Sequence, residues 1–195
     1  MAKLRFKHGT MNSSKSAQLI MVDYNYKSQG KSTLVFKPRL DTRDGGIVKS
    51  RALGTVVEAI LIDSDDSYTM TNLAGTFKPD CILVDEVQFM SPHQIDELAM
   101  IVDTLDIPVI CFGLMTDFQS KLFEGSKRLI ELGAILEEIK TVCTECKARA
   151  VNNMRLRDGV PIFDGAQVEV GGNEMYKPVC RQCYKVAQLK YATNS

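Results

Sequence analysis

Net charge is the first thing this chain lacks: Lys plus Arg and Asp plus Glu each number 24. Without a global positive field it has no general hold on nucleic acid, and no basic cluster flanks an apolar stretch to favour a membrane surface. Long apolar runs are also missing. The longest hold about eight residues, well short of the ~20 needed to cross a bilayer as a helix. The N-terminal MAKLRFKHGT contains no apolar stretch of signal-peptide length and runs directly into a motif, so a cytoplasmic location is expected. Internal repeats and low-complexity tracts are absent. Histidine is scarce, and its two copies, His8 and His93, read as structural or exposed and not as catalytic. What remains is an ordinary globular composition, 45% hydrophobic and 25% charged, with 195 residues to build one substantial core and a small appendage.

Up to about Val142 the pattern alternates between strands and helices. Strands are expected at Leu4 to Lys7, Ser32 to Lys37, Val56 to Ile62, Asp80 to Asp85, Ile107 to Gly113 and Ala134 to Val142. Helices are expected at Lys15 to Gln29, Ser64 to Thr76, Ser91 (as cap, with Pro92 at the first position) to Leu105, and Ser126 to Leu132. DCILVD and IPVICFG are almost continuously apolar, as central parallel strands are. Strands separated by helices imply parallel pairing with right-handed crossovers, hence an α/β fold. Thr42 to Gly54 is polar and Gly-rich and reads as a mobile surface loop. From Cys143 the periods shorten and turn signals appear at Arg157-Asp158-Gly159 and Asp164-Gly165, which suggests a hairpin-and-loop module and a domain division of 1–142 and 143–195.

Three constellations carry chemistry. After the first strand comes Gly9-Thr10-Met11-Asn12-Ser13-Ser14-Lys15-Ser16, close to the phosphate-loop pattern G-x-x-x-x-G-K-[ST]. Such a loop cradles anionic phosphate with backbone N–H groups and the following helix N-terminus, its Lys reaches the β/γ-phosphates, and its Ser/Thr hydroxyl ligates Mg²⁺. Ser14 stands where the second Gly belongs. If that position needs a positive φ, the side chain costs on the order of 1–2 kcal/mol. The second constellation is the acidic end of DCILVD. Asp85 is placed to support Mg²⁺, and Glu86, pointing elsewhere on an extended chain, is the candidate base that accepts a proton from a hydroxyl acceptor. The third is Cys143-x-x-Cys146 with Cys180-x-x-Cys183, four thiolates for one tetrahedral structural Zn²⁺ with no position left for a reactive water. Two disulfides or a redox pair are the alternatives, disfavoured in a reducing compartment. Cys81 and Cys111, inside apolar runs, read as buried free thiols.

GTMNSSKS, DEVQF, GLMTDFQSKLFEGS, CTEC and VGGNEMYKPVCRQCY, in that order and spacing, resemble the type II thymidine kinases over nearly the whole chain. The resemblance implies a phosphate-loop kinase with a zinc-ribbon-like lasso domain, transferring the γ-phosphate of ATP to the 5′-hydroxyl of thymidine. It implies Glu86 as the general base and Gly9 to Ser16 as the ATP phosphate site, lined also by Asp85, Val87 and Gln88. Phe89, Phe118 and Phe123 would wall the thymine. Val170, Gly171, Gly172 and Tyr176 would belong to a loop closing over the nucleoside. Asp41 and Arg43 match a D-x-R near the phosphates, and Met115 stands where many relatives have Arg. A homotetramer inhibited by thymidine triphosphate is implied as well. Two other readings compete: a nucleic-acid-directed ATPase, since D-E-x-Q after a strand also occurs in helicases, and a zinc-ribbon binding module, which would need more basic surface than Lys147, Arg149, Arg155, Arg157 and Arg181 supply.

Overall fold

A computed structural model describes residues 1–41, 45–50, 52–167 and 174–191. Six parallel strands form the main sheet in the order β5-β2-β6-β7-β1-β8. They are β1 (Leu4–His8), β2 (Thr33–Pro38), β5 (Ile60–Ile62), β6 (Cys81–Val84), β7 (Val109–Gly113) and β8 (Ile135–Glu138). The apolar runs read from the sequence are the central strands: every residue of β6 is buried. Both faces are covered, as a parallel sheet with helical crossovers requires. On one face α2 (Thr69–Phe77), α3 (Pro92–Leu105) and α4 (Glu124–Glu131) pack Met70, Leu98, Ile101 and Leu129 against Phe6, Phe36, Ile82 and Cys111. On the other, α1 (Lys15–Ser28) sets Leu19 and Ile20 against Val35, Leu83 and Phe112. Cys81 and Cys111 are buried free thiols on opposite faces, in separate core clusters.

The helix ends follow local chemistry. Ser91 caps α3 by accepting from the Gln94 amide, Gln94 returns the bond to the Ser91 amide, and Pro92 occupies the first turn. The helix expected from Ser64 begins only at Thr69. The acidic stretch before it closes on itself, with the Asp63 amide donating to the Asp66 carboxylate and the Asp66 amide to the Asp63 carbonyl. Side chains of this kind compete with the helix for backbone groups. The strand expected at Val56 to Ile62 is two strands. β4 (Thr55–Glu58) pairs antiparallel with β3 (Ile47–Ser50), and β5 pairs parallel with β2; between them the Ala59 amide is taken by the Gly46 carbonyl. The expected surface loop at Thr42 to Gly54 therefore contains a strand. Val48 and Ser50 alternate inward, and Val48 enters the core beside α1.

The C-terminal part is a three-stranded antiparallel sheet, β10-β9-β11, of β9 (Asn152–Arg157), β10 (Val160–Ile162) and β11 (Glu174–Val179). The expected turn at Arg157-Asp158-Gly159 joins β9 to β10, with Asp158 and Gly159 both at positive φ. A helix that the sequence reading did not anticipate, α5 (Arg181–Tyr191), packs across the sheet. Its Tyr184 joins Cys143, Met154, Leu156, Phe163, Val179 and Cys180 in a small separate core.

Candidate active site

The phosphate loop leaves β1 and enters α1 at the C-terminal edge of the sheet, where open α/β folds place their ligands. Ser14 adopts φ 65° and ψ 26°, the left-handed conformation for which the missing Gly would be suited. Asn12 is also left-handed, at φ 60°. Gly9 is indispensable for a different reason: a Cβ there would lie 2.4 Å from Ser13 Oγ and 2.6 Å from the Ile139 carbonyl. Helix α1 has neither a side-chain cap nor an acidic residue in its first turn. Its N-terminal amides are thus left to meet an anion. Thr10 Oγ1 and Ser13 Oγ are buried without a hydrogen-bond partner. Orphaned donors of this kind are costly unless a ligand satisfies them, and a phosphate oxygen suits both. Lys15 is folded back, its Nζ donating to the Thr10 carbonyl at 2.8 Å and reaching the Gly9 carbonyl at 3.5 Å. The Met11 amide is turned away from the cradle and donates to Asn153 Oδ1 of β9 at 2.7 Å.

The acidic strand end lies two strands away, across β7. Asp85 is buried, and its amide donates to the Phe36 carbonyl. Burial, and secondarily the neighbouring Glu86 charge, pushes its carboxyl up to about 7, against the opposing pull of the Glu86 amide, Lys37 and Lys15. Glu86 is partly exposed and sits in the left-handed region at φ 48°. Such strain, on the order of 1–3 kcal/mol, concentrates at functional positions. Gln88 Nε2 donates to Glu86 Oε2 at 2.6 Å. Val87 packs into the main core.

Two residues beside this site escaped the sequence reading. Lys37, at the end of β2, is almost wholly buried; its Nζ pairs with Asp41 Oδ2 at 3.1 Å and donates to the Ile47 carbonyl at 3.2 Å. A lysine ending an otherwise apolar strand, four residues before an aspartate, was the available signal. It places Asp41 of the D-x-R in the site's neighbourhood; Arg43 lies outside the described residues. Arg155 is fully buried, with its guanidinium 4.8 Å from the centre of the Phe118 ring and Nη1 donating to the Ala166 carbonyl. In sequence it looked like one more surface cation.

Of the expected aromatic walls, Phe89 and Phe123 meet edge to face at 5.8 Å between centroids. Phe118 is buried against Arg155. Tyr176 sits on β11 opposite Arg155 of β9, while Val170, Gly171 and Gly172 lie outside the described residues. Met115 packs against the main core. His8 is a β1 residue whose imidazole pKa burial lowers, and His93 meets Tyr68 edge to face at the surface.

The four paired cysteines converge. Their Sγ atoms all lie within 4.8 Å of one another, and Cys146 and Cys180 are 3.7 Å apart. A tetrahedral Zn²⁺ with Zn–S bonds of ~2.3 Å requires sulfur separations of about 3.8 Å. The Ala148 and Cys183 amides point at the Cys146 and Cys180 sulfurs, and Cys180 immediately precedes α5, whose N-terminal end favours a thiolate. The donor set fits zinc.

A parallel sheet bearing this loop, lysine and acidic strand end defines a phosphate-loop nucleotide-binding protein. Comparison with known sequences narrows the class. The thymidine kinase family model matches residues 2–184. A thymidine kinase from Streptococcus pyogenes serotype M3 is 47% identical over 186 residues, covering 94% of this chain and 97% of that one. Those from Streptococcus gordonii and Streptococcus agalactiae are 45% and 46% identical, over 94% of this chain and 96% and 97% of theirs. The chain belongs to the thymidine kinase family. Among the described residues no helix is long and apolar enough to cross a membrane.

Proposed function

We propose that this protein is a thymidine kinase, transferring the γ-phosphate of ATP to the 5′-hydroxyl of thymidine. The observation that carries this is the pairing of an unsatisfied phosphate cradle with a strained, exposed-edged carboxylate at Glu86, in a chain of this family. Gly9 to Ser16 hold the ATP phosphates. Thr10 and Ser13 hydroxyls gain the partners they lack, and Lys15 leaves the loop carbonyls to stabilise charge on the transferring group. Mg²⁺, held by Ser16 and Asp85, would neutralise the phosphates. Glu86 accepts the proton of the 5′-hydroxyl as that oxygen attacks. Phe89, Phe118 and Phe123 wall the base, with Val170, Gly171, Gly172 and Tyr176 closing over the nucleoside. Zn²⁺ on Cys143, Cys146, Cys180 and Cys183 is structural and anchors the segment that ends in β11. The division at residue 143, a cytoplasmic location, a homotetramer and inhibition by thymidine triphosphate complete the reading.

A phosphoryl-transfer assay with ATP and each common nucleoside tests it. Thymidine is expected to be phosphorylated far faster than adenosine, guanosine or cytidine. Turnover of ATP that depends on single-stranded DNA, and not on thymidine, would reassign the site to a nucleic-acid ATPase.

A further inference from the structure

We infer that Gln88 is the positioning residue for Glu86, locking the general base to the phosphate loop through the end of β7. The inference rests on Glu86 being the base. Gln88 is only 3% exposed, so its amide has no water to fall back on. Its oxygen accepts from the Leu114 amide at 2.9 Å. An N–H can be met only by an acceptor, so the carboxamide orientation is determined: Nε2 must face the other way. There it donates to Glu86 Oε2 at 2.6 Å, short as hydrogen bonds to a charged acceptor are.

Leu114 is itself held from both sides, since its carbonyl accepts from the buried Ser126 hydroxyl at 2.6 Å. One residue earlier, the Gly113 carbonyl accepts from the Gly9 amide at 3.3 Å. A continuous path therefore runs from the start of the phosphate loop through Gly113 and Leu114 to Gln88 and Glu86. Two glycines make room for it. A Cβ on Gly113 would lie 2.4 Å from Gln88 Oε1, and a Cβ on Gly125 would lie 2.5 Å from the Val87 carbonyl and 2.8 Å from that of Met90. The short 3₁₀ turn Val87–Phe89 carrying Gln88 is thus clamped between the end of β7 and the start of α4. β7 lies between β1 and β6 in the sheet, so this link between donor cradle and base crosses a single strand. Holding one of its oxygens narrows the orientations open to the carboxylate, which is what a base that must meet an acceptor hydroxyl requires.

A double-mutant cycle tests the assignment. Gln88→Met is expected to lower kcat roughly 10- to 100-fold, the cost of misplacing a catalytic group by about 1 Å. The loss should fall on kcat more than on KM for ATP or thymidine, since Gln88 acts on the reaction through Glu86. In a Glu86→Gln background, Gln88→Met should lower the residual rate by no more than about twofold, because there is no base left to orient. If Gln88→Met does not fold, Gln88→Asn, which keeps the polar seat but is too short to span it, must show the same split. Wild-type kcat in a folded variant, an equal loss in both backgrounds, or a rise in KM for ATP with unchanged kcat would overturn the assignment. Wild-type turnover by Glu86→Gln alone would instead overturn the general-base reading beneath it.

Discussion

The two larger sheets of this molecule are stabilised in opposite ways. The six-stranded sheet is sandwiched, with β6 buried from end to end and apolar clusters on both faces. The three-stranded sheet has helix cover on one side only, and its core is seven residues, of which two are zinc-site cysteines. A core that small supplies little hydrophobic stabilisation on its own, and the four-cysteine cluster beside it is built to let a metal take over part of the task. The difference teaches where each region is vulnerable: the large sheet to cavities, the small one to loss of its ion and its contacts with the large one.

The strongest way to break the comparison is to remove the metal. Chelation, or Ser in place of Cys180, is expected to abolish amide-exchange protection in β9 and β11 while leaving β6 and β7 protected. Structural zinc contributes about 10–16 kcal/mol to folding in small zinc modules, more than that core can replace. Metal analysis should give one zinc per chain; persistence of β9 protection in zinc-free protein would show that the small sheet stands by packing alone.

The reciprocal experiment is a cavity in the large sheet. Leu83→Ala should cost about 2–5 kcal/mol in urea unfolding, because Leu83 is wholly buried on a central strand. Zinc content should not change. Zinc loss in parallel would mean that the two regions unfold as one unit.

The seam between them gives a smaller effect. The Tyr184 hydroxyl donates to the Phe118 carbonyl at 2.6 Å, and Asn153 takes the Met11 amide. Tyr184→Phe should destabilise by about 1–2 kcal/mol, leaving one buried carbonyl unmet. Exchange is expected to quicken in α5 and around Phe118 first, and a uniform change across the chain would contradict a local seam.

The last test concerns a charge in the large region, and its effect is confined to high pH. The Asp85 carboxyl is raised by burial to about 7, so the folded state holds its proton more tightly than the unfolded chain does. Stability from this group is then present below the ordinary carboxylate range, near pH ~4, and is lost as pH rises through about 7. Metal-free Asp85→Asn should melt higher than the parent at pH 8 and equally at pH 4, while its kinase activity falls. A lower melting point at pH 8 would mean that the Lys37 and Lys15 charges outweigh burial.

Much of the large region was legible because its information is local. DCILVD and PVICFG announce buried strands by composition alone, Ser91-Pro92 announces α3, and the Gly9 to Ser16 spacing predicts a phosphate loop whose Ser14 does take the left-handed backbone. The cysteine spacing was legible for the same reason: a C-x-x-C turn places two thiolates together whatever surrounds it. What the sequence left open depends on partners distant along the chain. Strand β3 exists because Val48 finds α1, and α5 because Tyr184 and Cys180 find β9 and Phe163. Arg155 reads as a surface cation until the fold buries it against Phe118, and the sequence cannot say that Leu114, 26 residues away, dictates which end of the Gln88 amide meets Glu86. By itself the sequence determined the elements and the kinds of chemistry available, since periodicity and motif spacing act over a few residues. Only the tertiary structure decided which polar groups are buried together. Burial removes water as an alternative partner, and that turns a side chain of many uses into one with a single orientation.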